Sequence, residues 1–263
     1  TTSRVYVTYN WDAGSSTVSN ASGSITSQVR ANATAGFSVV TYNSGASSGN
    51  QTIGHGLNVA PSLIIHKTYS TTANWWVYHA STTNTVSKYL QLNSTNATAD
   101  NVLSMWGAAL PTSTVFGANV GQLPPTNQSA VAYCFAPVVG YSAFGSYVAV
   151  SGEPFVYLGF KPALVMIKAA VGRDTAYTSW YIADNKRPVY NPENLPLWAN
   201  QSAQEGLRGN GSGTYSSDLN IDLLSNGFKI RDNNGAPDET NFFGATYIYC
   251  AWAEAPFNYS RAR

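Results

Sequence analysis

"VYVTYNWDA" (Val5–Ala13), "SAVAYCFAP" (Ser129–Pro137) and "TYIYCAWAE" (Thr246–Glu254) align without a gap. Trp11, Phe135 and Trp252 fall in one column, and Val7, Val131 and Ile248 fall in another, four residues earlier. Side chains alternate between the two faces of a strand, so residues four apart share a face. That shared face is expected to be the core face. All three stretches are rich in β-formers.

The likeness continues outward from these stretches. "GLNVAPSLIIHK" (Gly56–Lys67) matches "GFKPALVMIK" (Gly159–Lys168), each with a proline six residues before a lysine. "WWVYHAS" (Trp75–Ser81) then matches "WYIADNK" (Trp180–Lys186), and "YLQLNS" (Tyr89–Ser94) matches "PLWANQS" (Pro196–Ser202). "STVFGAN" (Ser113–Asn119) pairs loosely with "NGFKIRD" (Asn226–Asp232), and "GFSVVTY" (Gly36–Tyr42) agrees with "GYSAFGSY" (Gly140–Tyr147) across one gap. The reading is two copies of one unit, residues 36–139 and 140–263, each closing on its aromatic strand. Val5–Ala13 then reads as the closing strand of a preceding unit, which makes the chain the C-terminal part of a longer polypeptide. The alternative is an ordinary first strand whose likeness to the others is chance. Residues 1–35 are expected to hold this strand and, from Asp12 to Ala35, a Ser/Thr/Asn/Ala-rich linker.

Short strands punctuated by Gly, Asn, Pro and Ser, without helical periodicity, predict an all-β fold of two tandem, jelly-roll-like β-sandwiches. "SLIIHK" and "ALVMIK" are nearly continuous apolar runs, as strands buried on both faces require. In "WWVYH", Trp75 and Val77 should share one face, and Trp76 and Tyr78 the other. "SNGF" (Ser225–Phe228) predicts a hairpin with a type I′ turn. Residues 202–207 are the best place for a short helical turn. Cys134 and Cys250 sit one column apart, which predicts two buried thiols on opposite faces and no bridge.

Composition narrows the function. Charged residues make up 10% of the chain and the net charge is +1, so nothing marks a nucleic-acid or anionic-membrane partner. No apolar run approaches the roughly 20 residues of a membrane span. No nucleophile elbow, P-loop or HExxH is present. His55, His66 and His79 read as structural or solvent-facing rather than as a metal set. Asp218, Asp222, Asp232, Asp238 and Glu239 could include a glycosidase pair, and "DNNGAPDE" could hold calcium, but glycine stands fourth where an EF-hand has it sixth. A plain turn is preferred, with no cofactor and no metal. The aromatics Trp76, Tyr78, Tyr89, Trp106, Tyr181, Tyr190 and Trp198 lie among Asn, Ser and Thr. Rings of this kind stack on sugars or fill subunit interfaces, and they are the candidate glycan or partner contacts.

The string "TAGFSVVTYNSG…TIGHGLNVAPSLIIHK…WWVYHAS…YLQLNST", followed by "AYCFAPVVGYSAFGSY…PFVYLGFKPALVMIK" and "IDLLSNGFKIR…YIYCAWAEAPFNYSRAR", resembles an uncharacterised domain family. That family closes the C-termini of tail-fibre and other tail proteins of tailed phages, many from marine and cyanobacterial hosts. The likeness runs from about Gly36 to Arg263. It implies a virion location, acting outside the cell, and a homo-oligomer, expected to be a trimer, among other tail proteins. It brings no binding residues with it. The function expected is therefore a non-enzymatic structural and adhesive module of a tail fibre, whose loops meet a host polysaccharide or lipopolysaccharide. The alternatives are a purely structural virion part, such as a head fibre or decoration protein, and a polysaccharide-degrading enzyme.

Overall fold

Pro162 opens a ten-residue strand, where its missing N–H costs least, and Pro61 sits just ahead of the equivalent one. The computed structural model describes residues 6–82, 85–173, 178–188, 190–207, 220–231 and 239–255. Among these residues there is no helix, and the strands number eighteen. They are β1 (Val18–Asn20), β2 (Ser27–Asn32), β3 (Phe37–Asn43), β4 (Gly49–Gly54), β5 (Leu63–Thr68), β6 (Trp75–His79), β7 (Lys88–Gln91), β8 (Ala99–Asp100) and β9 (Val115–Val120). There follow β10 (Ser129–Phe135), β11 (Ser142–Val148), β12 (Phe155–Tyr157), β13 (Pro162–Val171), β14 (Tyr181–Asp184), β15 (Leu197–Trp198), β16 (Asn220–Leu224), β17 (Gly227–Arg231) and β18 (Thr246–Ala253).

These strands form four antiparallel sheets. An eight-stranded sheet runs β1-β2-β3-β10-β5-β6-β7-β8, and a five-stranded sheet runs β11-β18-β13-β14-β15. Within the first, β3-β10-β5-β6-β7 has the same order as the whole of the second, and each position holds stretches that align in sequence. The smaller sheets are β4-β9 and β12-β17-β16.

Three cores separate the layers. Val40, Ile64, Ala132 and Cys134 of the eight-stranded sheet pack against Ile53, Phe116 and Ala118 of β4 and β9. Val165, Ile167, Tyr247 and Ala251 of the five-stranded sheet pack against Val156, Ile221, Phe228 and Ile230 of the three-stranded one. The opposite faces of the two large sheets then pack on each other through Phe37, Leu63, Val77, Phe135, Leu164, Trp180, Ile248 and Trp252. The molecule is thus two sandwiches placed back to back. Both faces of β5 and β13 are buried, which explains their continuous apolar runs.

The alternation expected in β6 is present: Trp76 and Tyr78 join the first sandwich core, and Val77 joins the central one. Cys134 lies in the first sandwich core and Cys250 in the central one, both as free buried thiols. Four expectations need correction. Val5–Ala13 is not a strand among the described residues: from Tyr6 onward it is extended and makes no ladder, though its exposed and half-buried residues alternate. The expected linker instead forms β1 and β2 at the edge of the eight-stranded sheet, with Val29 fully buried. Its low apolar content reflects an edge position with one face in water. The hairpin at 225–228 exists, but the turn residues are Ser225 and Asn226, since Leu224 pairs with Gly227, and neither has positive φ. The turn is therefore not type I′. Gly227 is needed for a different reason: a Cβ there would sit 2.1 Å from the Val156 carbonyl oxygen of the neighbouring strand. Residues 202–207 form a turn and no helix.

Candidate functional site

The end of β14 builds a polar recess on the surface. Asp184, 1% exposed, closes the strand and organises the loop after it. Its carboxylate accepts from the Tyr9 hydroxyl at 2.6 Å, from Arg187 Nε at 2.6 Å, and from the backbone N–H groups of Lys186 and Arg187 at 3.0 and 3.2 Å. Burial pushes this carboxyl up, but the hydrogen bonds from Tyr9, Arg187 and Lys186 outweigh burial and hold it below the usual carboxylate range. Arg187 also reaches the Leu195 carbonyl at 2.5 Å and Glu205 at 3.0 Å.

Further along, the loop is stitched to the edge of β16. Asn191 Nδ2 donates to the Leu223 carbonyl at 3.1 Å, and Leu223 N–H donates to Asn191 Oδ1 at 3.0 Å. Glu193 and Ile221 exchange backbone hydrogen bonds at 2.7 and 3.2 Å, forming an antiparallel bridge. Backbone and amide together hold the loop against the three-stranded sheet.

Between the loop and the ends of β13 and β18 lies a cleft of about 280 Å³. Asn185, Tyr190, Asn191, Glu193 and Leu223 line it, with Lys161 and Glu254 joined across 2.9 Å. Tyr190 is 83% exposed. Glu193 is 4% exposed, and its Oε2 is buried without a hydrogen-bond partner. Burial, then the charge of Asp184, pushes the Glu193 carboxyl up to about 7, while Arg187 and Lys161 pull the other way. Asn185 holds its backbone in place by donating to Ala163 at 3.0 Å, yet both atoms of its side-chain amide are buried without partners. Asn185 also lines a second recess of about 210 Å³, walled by Tyr9, Trp11, Tyr141 and Trp252.

Of the seven candidate aromatics, only Tyr190 is placed freely at a cleft. Tyr78 and Trp106 pack edge to face at 5.6 Å inside the first sandwich, and Trp106 Nε1 donates to the Lys88 carbonyl. Tyr181 and Trp198 pack the same way at 5.6 Å inside the second, and Trp198 Nε1 donates to the Leu207 carbonyl. These four are core residues, which corrects their reading as ligand contacts: both indole N–H groups donate to backbone carbonyls, and the Tyr181 hydroxyl donates to the Glu193 carbonyl at 3.5 Å. Trp76 and Tyr89 form a half-buried pair at 5.0 Å against the first core. Asn185 and Glu193 were not legible beforehand, because "DNKRPVYNPE" reads only as a polar, proline-bearing loop.

The three histidines are all buried. His66 shares a 2.8 Å hydrogen bond with the Tyr42 hydroxyl, His55 meets the Thr112 carbonyl and His79 the Tyr249 carbonyl, each at 3.1 Å. Burial lowers all three, His66 to about 3 and His79 to about 4. Among the described residues no three His, Cys, Asp or Glu side chains converge as metal ligands. Asp222 pairs with Arg231 at 3.2 Å. Asp218, Asp232 and Asp238, and all of the proposed calcium loop but Glu239, lie outside the described residues. No helix among those residues is long and apolar enough to cross a membrane.

Fold and site together define an all-β protein of paired sandwiches with a polar cleft on one end. The chain belongs to the family described as Domain of unknown function (DUF7483), whose profile matches residues 1–256. Neither the curated proteins nor the solved structures contain a match.

Proposed function

We propose that this chain is a structural and adhesive module of a phage tail fibre, built of two copies of one sandwich unit, which recognises a host-surface glycan and performs no catalysis. The observation that carries the recognition half is the cleft itself. An exposed tyrosine, an amide with no partner among the described residues and a buried carboxyl with one unpartnered oxygen all line one recess. Sugars need such a set: a ring for the C–H face and polar groups for the hydroxyls. The tail-fibre setting, and the virion location outside the cell, rest on the motif resemblance set out above.

Assembly as a homo-trimer beside other tail proteins belongs to the same proposal. Its support is an apolar cluster at one end of the second sandwich. Val148 and Val171 both pair with Thr246, and Val150, Phe242 and Phe243 accompany them, all five exposed. Several copies would turn weak single-site binding into firm attachment.

The test is saturable binding of the purified protein to host cells, with loss of phage adsorption in competition. Tyr190→Ala should weaken binding without changing the unfolding midpoint. No competition at saturating protein would remove the adhesive half. A second reading, a structural virion part without a receptor, draws on the burial of Tyr78, Trp106, Tyr181 and Trp198. It predicts no host binding at all. Release of reducing ends from host polysaccharide would replace both with an enzyme, for which Glu193 is the acid to mutate first.

A further inference from the structure

The chemistry of the cleft is more selective than a general glycan site requires. A primary amide presents a donor and an acceptor side by side. Both atoms of the Asn185 amide are buried and without partners among the described residues, so the side chain must turn toward the cleft to meet a ligand. What satisfies it must offer an acceptor and a donor at neighbouring positions. Two adjacent hydroxyls of a sugar ring do so, because each hydroxyl plays either role. A carboxylate or phosphate offers acceptors only, and would leave Asn185 Oδ1 facing lone pairs.

Charge points the same way. Among the described residues, the cation lining the cleft is Lys161, and Glu254 pairs with it at 2.9 Å. Glu193 adds a carboxyl whose Oε2 has no partner. Among the described residues that line the cleft, an anionic ligand would meet no unpaired cation, and it would have to be desolvated beside an acid. Asn191 is already held by Leu223 through one donor and one acceptor of its amide, which fixes it against β16. The volume of about 280 Å³ lies at the small end for ligand sites, which suits one ring rather than a long segment.

We infer that the cleft takes a single uncharged pyranose ring, gripped through two neighbouring hydroxyls by Asn185 and Glu193, with Tyr190 against its C–H face, and that it discriminates against uronate and phosphorylated sugars. This rests on the glycan reading of the cleft given above.

The experiment uses the full chain and saturation-transfer NMR titrations with four probes: methyl α-mannopyranoside, methyl β-galactopyranoside, methyl β-glucuronide and glucose 6-phosphate. At least one neutral probe should bind, and the two charged probes should bind about tenfold more weakly or not at all. Asn185→Ala should cost about tenfold in neutral-sugar affinity, whereas Glu193→Gln, which keeps a donor and an acceptor, should stay within about threefold. Tyr190→Ala, at an exposed position, supplies a variant that folds whatever happens to the buried pair, and should also weaken the neutral sugar. Charged probes binding as tightly as neutral ones, or neutral binding untouched by Asn185→Ala and Tyr190→Ala, would overturn the inference while leaving glycan binding in place. Failure of all four probes together with failure of intact host polysaccharide would remove the glycan reading itself.

Discussion

Trp11, Phe135 and Trp252 meet edge to face with ring centroids 5.7, 5.2 and 5.5 Å apart, so losing one ring strips two aromatic contacts at once. Trp11 is only half-buried, and Trp11→Ala should destabilise the protein by about 2–4 kcal/mol, at or below the range for fully buried rings. Urea denaturation would measure it. Lys168 presents a different problem. It is fully buried, donates to the carbonyls of Thr95 and Thr178, lies 6.0 Å from the Trp180 ring centre and faces Glu239. Burial lowers it from 10.5 to about 7, against the pull of Glu239. Between those values the unfolded chain holds a proton that the folded chain does not, so stability rises with pH. Cys134 and Cys250 act in reverse: burial raises both above the ordinary 9, and stability falls as pH climbs past it. The expected profile rises from pH 7 to about 9, by at most about 1.4 kcal/mol per pH unit, and then declines. In Lys168→Met the rise should vanish from unfolding midpoints measured at pH 7, 8 and 9.

The loop from Asp184 to Glu193 is held at three points: the Asp184 carboxylate, the Asn191 amide and the Glu193 backbone. Asn191 makes two hydrogen bonds to one residue of β16, so Asn191→Ala leaves the Leu223 N–H and carbonyl without those partners. A loss of about 1–3 kcal/mol is expected, concentrated locally. Hydrogen exchange should show it as faster exchange at Leu223, with β13 and β18 unchanged. Strand identity was legible along most of the chain because a period of two survives in short windows, as in Trp75 to Tyr78. It failed at β1 and β2, where an edge strand buries little beyond Val29 and so looks like a linker. It failed differently at Val5–Ala13. The alternation there is real, but a ladder needs backbone pairing with a strand, and the segment pairs with none among the described residues.

Because the two large sheets share one central core, neither sandwich is finished without the other. Leu63, Val77 and Leu90 would lose their cover from Leu164, Trp180 and Ile248 if the halves parted. The whole chain should therefore unfold in a single cooperative transition, with tryptophan fluorescence and far-ultraviolet circular dichroism coinciding. Two resolved transitions would show that the central core is weaker than its burial implies.

The sequence by itself determined the class of fold, the phase of β6 and the opposite faces of the two cysteines, because all of these follow from local alternation. Only the tertiary structure decided that the sandwiches stand back to back and that four of the seven suspected ring contacts are core. It alone brought Asn185 and Glu193 together in a cleft. The reason is that burial, and the lack of a partner once buried, belong to the surroundings of a side chain and leave no mark on the residues beside it in the chain.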